Sequence, residues 1–98
     1  MERVALVARL KPGMEGKAAE LLAGGPPFDP VERGFDRHAV YLSAGEVVFV
    51  FEGQEVEWLV DEIVNEPAGG TVATALAAWR DLVEGPPRIA RTAYAWER

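Results

Sequence analysis

His38-Ala39-Val40-Tyr41-Leu42, the turn Ser43-Ala44-Gly45, and Val47-Val48-Phe49-Val50-Phe51 together decide the fold of this chain. They read as a β-hairpin whose strands are apolar on both faces. A strand with one wet face alternates apolar and polar residues; one covered on both sides is an unbroken apolar run. Helices can cover one face of this hairpin, and the other needs a second cover.

The flanking segments supply the helices. An opening strand, Arg3 to Leu10, points Val4, Leu6, Ala8 and Leu10 one way and Arg3, Ala5, Val7 and Arg9 the other. Lys11-Pro12-Gly13 breaks it. A helix follows from about Met14 to Leu22 with Ala18, Leu21 and Leu22 inward, and Gly24-Gly25 ends it. The long loop to Asp36 holds Pro26, Pro27 and Pro30 and suits either a stiffened surface connection or a docking element. Beyond the hairpin, Val56, Leu59, Val60, Ile63 and Val64 recur at helical spacing between Glu55 and Asn65, and Pro67-Ala68-Gly69-Gly70 stops that helix. Thr71 can cap a third helix whose stripe is Val72, Ala75, Leu76, Trp79, Leu82 and Val83. Gly85-Pro86-Pro87 reads as its terminator and Arg88 to Trp96 as the last strand.

The order is β-α-β-β-α-α-β within a single domain of 98 residues. With right-handed crossovers this predicts a ferredoxin-like α+β fold: a four-stranded antiparallel sheet with helices on one face. Two such sheets, packed by their bare faces, make a barrel, so a homodimer is expected. Leaving several Val and Leu side chains bare would exceed the apolar patch normal for a monomer.

Composition narrows the function. The net charge of −6 argues against nucleic acid and anionic lipid as partners. No apolar run is long enough to span a bilayer. The absence of cysteine removes disulfides and thiolate metal sites and fits a cytoplasmic location, as does the lack of a leader-like segment before the first strand. With one histidine, no metal set is visible, and no glycine-rich loop follows a strand, so no cofactor is expected.

Turn length governs the candidate site. Gly45 suits the third position of a three-residue loop, which pairs Leu42 with Glu46, Val40 with Val48 and His38 with Val50. His38, Val40, Leu42, Val48, Val50 and Glu52 then share the cavity face, while Ala39, Tyr41, Val47, Phe49 and Phe51 pack against helices. His38 and Glu52 become diagonal neighbours and the candidate catalytic pair, an imidazole beside a carboxylate. A two-residue loop shifts the register by one and sets His38 beside Phe51. Arg9, Arg91 and Tyr94 are candidate ligand contacts. Tyr94 and Trp96 also suit a dimer or core role, and Trp79 lies on an apolar stripe and suits the core.

These residues resemble the dimeric α/β-barrel superfamily, which includes antibiotic-biosynthesis-type monooxygenases, muconolactone-isomerase-like proteins and L-rhamnose mutarotases. Leu10-Lys11-Pro12-Gly13, Val40-Tyr41-Leu42, Val47 to Glu52 and Ala78-Trp79-Arg80 carry the resemblance. It implies a homodimer and a cofactor-independent mutarotase, isomerase or monooxygenase acting on a small organic molecule. The alternative is a non-catalytic binding or structural module with a filled barrel. The chain departs from the mutarotases at Leu21 to Phe28, which lack their histidine and tryptophan pair. It departs from the monooxygenases in having a single asparagine, Asn65, at a helix end.

Overall fold

The computed structural model describes residues 2–25, 29, 31–32, 34–58, 60 and 77–98. The expectations at Pro26, Pro27, Phe28, Pro30, Leu59, residues 61–76 and the Thr71 cap lie outside the described residues.

Strand β1 (Glu2–Leu10), helix α1 (Glu15–Ala23), and strands β2 (Arg37–Leu42), β3 (Glu46–Gly53) and β4 (Val83–Arg91) follow in order. The strands form one antiparallel sheet in the order β2-β3-β1-β4. This is the expected ferredoxin-like α+β arrangement. Residues 56–58 and 60, and residues 77–80, are helical and lie between β3 and β4.

β1 alternates as its sequence requires. Val4, Leu6, Ala8 and Leu10 are at most 4% exposed. They sit beside Phe51, Phe49 and Val47 of β3, and Ala18, Val56, Val60 and Trp79 cover them from the helical side. The Phe49 and Trp79 rings meet in a T-shaped pair at a centroid distance of 5.1 Å. Lys11-Pro12-Gly13-Met14 is a turn closed by Met14 N–H to Lys11 O, and Gly13 takes φ 78°, the left-handed position glycine favours. α1 ends where expected, with Gly24 and Gly25 N–H groups capping Leu21 and Leu22 carbonyls.

The long loop docks at its far end. Phe35 is buried against Phe51, centroids 4.8 Å apart, and Asp36 N–H donates to Glu52 O at 2.7 Å. The backbone passes so near Gly53 that a Cβ there would lie 2.9 Å from Gly34 O.

Two boundaries differ from the sequence expectation. β4 begins at Val83 rather than Arg88, so Gly85-Pro86-Pro87 lies inside the strand. The β1–β4 register breaks between Val7 and Arg9, which pair with Arg88 and Glu84, so the glycine and both prolines bulge opposite Ala8. Gly85 at φ 74° makes the bend, and β4 tolerates the missing proline donors because it is an edge strand. The strand ends at Arg91 rather than Trp96, leaving Tyr94 and Trp96 82% and 73% exposed beyond it.

Candidate functional site

The hairpin turn sets the geometry of the open sheet face. Ser43 N–H donates to Glu46 O at 2.9 Å, and Glu46 N–H donates to Ser43 Oγ at 3.2 Å. Ser43 and Glu46 are therefore partners, and Ala44-Gly45 alone forms the tip. Leu10 N–H ties the tip to β1 through Gly45 O at 2.9 Å. The resulting pairs are Leu42–Val47, Val40–Phe49, His38–Phe51 and Arg37–Glu52. The three-residue turn is thus corrected to the two-residue alternative, and every β2 side chain changes face. This register places Val40 and Leu42 against the core.

The expected His38–Glu52 pairing goes with it. His38 lies on the helical side, its ring stacked on Phe51 at a centroid distance of 4.6 Å. Its Nδ1 is 3.0 Å from Val50 O, an oxygen that can only accept, so Nδ1 carries a proton. Burial pushes the imidazole pKa below its ordinary value, with the Val50 hydrogen bond opposing that shift. Glu52 lies on the opposite face.

That face carries Arg37, Ala39 and Tyr41 from β2, Glu46, Val48, Val50 and Glu52 from β3, Arg3, Ala5, Val7 and Arg9 from β1, and Glu84, Arg88 and Ala90 from β4. Its centre is apolar: Ala5, Val7, Ala39, Val48 and Val50 are only partly buried, and Tyr41 is 63% exposed. Charges border it at both strand ends. At one end Arg3 Nη2–H donates to Glu52 Oε1 at 2.9 Å, while Arg37 Nε stands 3.7 Å from Oε2. Glu52 is 7% exposed, and its hydrogen bond and charge raise the Arg3 pKa above its ordinary value. At the other end Arg9 stands opposite Glu46 and Glu84, and Arg88 reaches over β1 to Glu46 at 3.6 Å.

The structure therefore groups Arg9 and Glu52 on one face but at opposite ends. Arg91 is elsewhere: it pairs with Val4, and its Nε lies 3.6 Å from Glu57 Oε2. Glu57 helps line an open cleft of about 610 Å³ with Glu2, Glu55 and Trp58. Tyr94 belongs to the tail. Arg3 and Arg37, which flank Glu52, were not singled out from the sequence. Their signal is the cross-strand row Arg3–Glu52–Arg37, visible only once the hairpin register is known. Among the described residues, no group of three or more metal-ligating side chains occurs, and no helix is long and apolar enough to cross a membrane.

No protein-family model and no curated protein matches the chain. Solved structures do. The chain is similar to the tetracenomycin F2 cyclase of Streptomyces glaucescens, a type-II polyketide cyclase, with TM-score 0.69 and 15% identity over 100% of this chain and 99% of that one. It is similar to NE2512 of Nitrosomonas europaea, a protein of unknown function, with TM-score 0.58 and 28% identity over 100% and 96%. It is also similar to Atu4242 of Agrobacterium tumefaciens, with TM-score 0.59 and 17% identity over 95% and 94%. The chain has the ferredoxin-like α+β fold that these structures share, traced along nearly its whole length.

Proposed function

We propose that this chain works as a homodimer that binds a small, flat organic molecule between two open sheet faces. One observation carries the reading: the open face has an apolar floor of Ala5, Val7, Val48 and Val50 beneath an exposed Tyr41, with charged residues only at its two ends. Small side chains leave room above the floor, and a second copy supplies the roof by two-fold symmetry. Apolar walls with a few polar groups at the margin are the usual make-up of small-molecule sites. The shared fold with a polyketide cyclase is compatible with a planar, ring-containing ligand. If the dimer is an enzyme, Tyr41 above the floor and Glu52 at its Arg3 end are the acid–base candidates, and His38 acts from the opposite face only as a packing residue.

The test has two readouts. Sedimentation equilibrium at micromolar concentration should give a dimer, and planar aromatic polyketide-like compounds should raise the melting temperature more than sugars or simple lactones do. A folded monomer that no compound stabilises would refute the proposal.

A further inference from the structure

We infer that the molecule bound on the open face is an organic acid, with its anionic group taken by Arg37 and Arg3 and its flat body laid along the apolar floor. This rests on the sheet-face reading above and goes further by naming the ligand's charge.

The first support is the distribution of charge. The whole chain carries −6. The open face holds four arginines (Arg3, Arg9, Arg37 and Arg88) against three glutamates (Glu46, Glu52 and Glu84). It is therefore +1, which leaves −7 for the remainder. An acidic protein has placed its surplus of cations on the sheet face that its described helical residues do not cover. Such a face draws anions and the rest of the surface repels them.

The second support is local. At the Arg9 end, two arginines meet two glutamates and the charges balance. At the Arg3 end, two guanidiniums share one carboxylate. Arg3 engages Glu52 at 2.9 Å, but Arg37 Nε is 3.7 Å away, beyond a hydrogen bond, and that side chain is 74% exposed. The tail's Glu97 acts on Arg3 more weakly than Glu52 does and is followed by Arg98. Arg37 therefore retains donors in a planar fork suited to a carboxylate. Glu52 fixes Arg3 beside it.

The third support is the spacing. Arg37, Ala39 and Tyr41 alternate along β2 onto the open face. Two such steps separate the Arg37 and Tyr41 backbones by about 13 Å, a span that the reach of the two side chains shortens to fit a fused-ring acid with its carboxylate at Arg37 and its ring against Tyr41.

The experiment is calorimetric titration of the full chain with 2-naphthoate and with its neutral methyl ester. Wild type should bind the acid at least tenfold more tightly than the ester, and added salt should weaken only the acid. Arg37→Gln should remove about tenfold of the acid's affinity and leave the ester unchanged. Arg37→Lys should restore part of it, and Arg88→Gln, at the balanced end, should cost the acid less than about threefold and leave the ester unchanged. Circular dichroism on each variant checks that it folds. Equal binding of acid and ester by a dimer would overturn the inference and leave the sheet-face reading standing. So would equal losses in Arg37→Gln and Arg88→Gln. A dimer that binds neither probe also overturns it, and a monomer that binds neither removes the reading beneath it as well.

Discussion

The two faces of the sheet are built from the same strands and differ in what they carry. On the helical side stand Leu6, Leu10, Phe49 and Phe51, all large and nearly solvent-free. On the open side stand Ala5, Val7, Val48 and Val50, smaller and half-buried, with arginines and glutamates at the strand ends. Both faces are apolar at the centre, so hydrophobicity alone does not say which is the core. Side-chain size and the position of charge do. Large residues are placed where helices close over them, and charges are placed where water or a ligand can reach them.

The sharpest way to break this comparison is to place one charge on each face at neighbouring positions. Phe49→Glu buries an unpaired carboxylate under Trp79 and should abolish folding, because that penalty of several kcal/mol consumes much of a small domain's stability. Val48→Glu, one residue away on the open side, should leave a folded monomer with a native circular dichroism spectrum and no dimer. If both variants unfold, the open face is as much a core as the other.

Truncation sharpens the same contrast. Leu6→Ala on the helical side should cost about 2–5 kcal/mol in urea unfolding. Val7→Ala on the open side should cost about 1 kcal/mol or less under conditions that keep the chain monomeric. A comparable loss at both positions would mean that the open face is already covered in the monomer.

A smaller effect is expected where the loop docks. Gly53→Ala should lower stability by about 1–3 kcal/mol, because its methyl meets the rigid Gly34 carbonyl oxygen. Gly45→Ala at the hairpin tip has open space around the added Cβ and should be close to neutral in the same denaturation assay.

The smallest effect concerns His38. Its folded-state pKa is lowered, chiefly by burial, so the fold prefers the neutral ring. The unfolded chain then binds more protons just below the ordinary histidine value of 6.5. The stability that this contributes is complete above that pH and is lost as the pH falls through the folded value. His38→Gln should flatten the dependence of melting temperature on pH below about 6.5 while leaving ligand affinity unchanged. A change in affinity would return His38 to the binding site.

Much of this was legible along the chain. The alternation of β1, the apolar spacing around Ala18 and Val56, the Gly24-Gly25 stop and the burial of Trp79 all follow from local periodicity and turn chemistry, and with them the succession of strands and helices along the chain. The faces of β3 were equally plain, with Phe49 and Phe51 inward and Val48 and Val50 outward.

The faces of β2 and the course of β4 were decided only in three dimensions. Ser43-Ala44-Gly45-Glu46 can close as a two- or a three-residue turn by local preference. The choice falls to contacts distant in sequence, the Leu10 hydrogen bond to Gly45 and the packing of Val40 and Leu42 on the core. One residue of register separates a face with His38 from a face with Arg37, so the candidate site changed with it. Gly85-Pro86-Pro87 likewise reads as a terminator in isolation. It becomes a bulge because β4 lies at the edge of the sheet, where two prolines cost no ladder partner. Periodicity is written in the sequence because it depends on neighbours a few residues apart, whereas register and edge position depend on which strands meet.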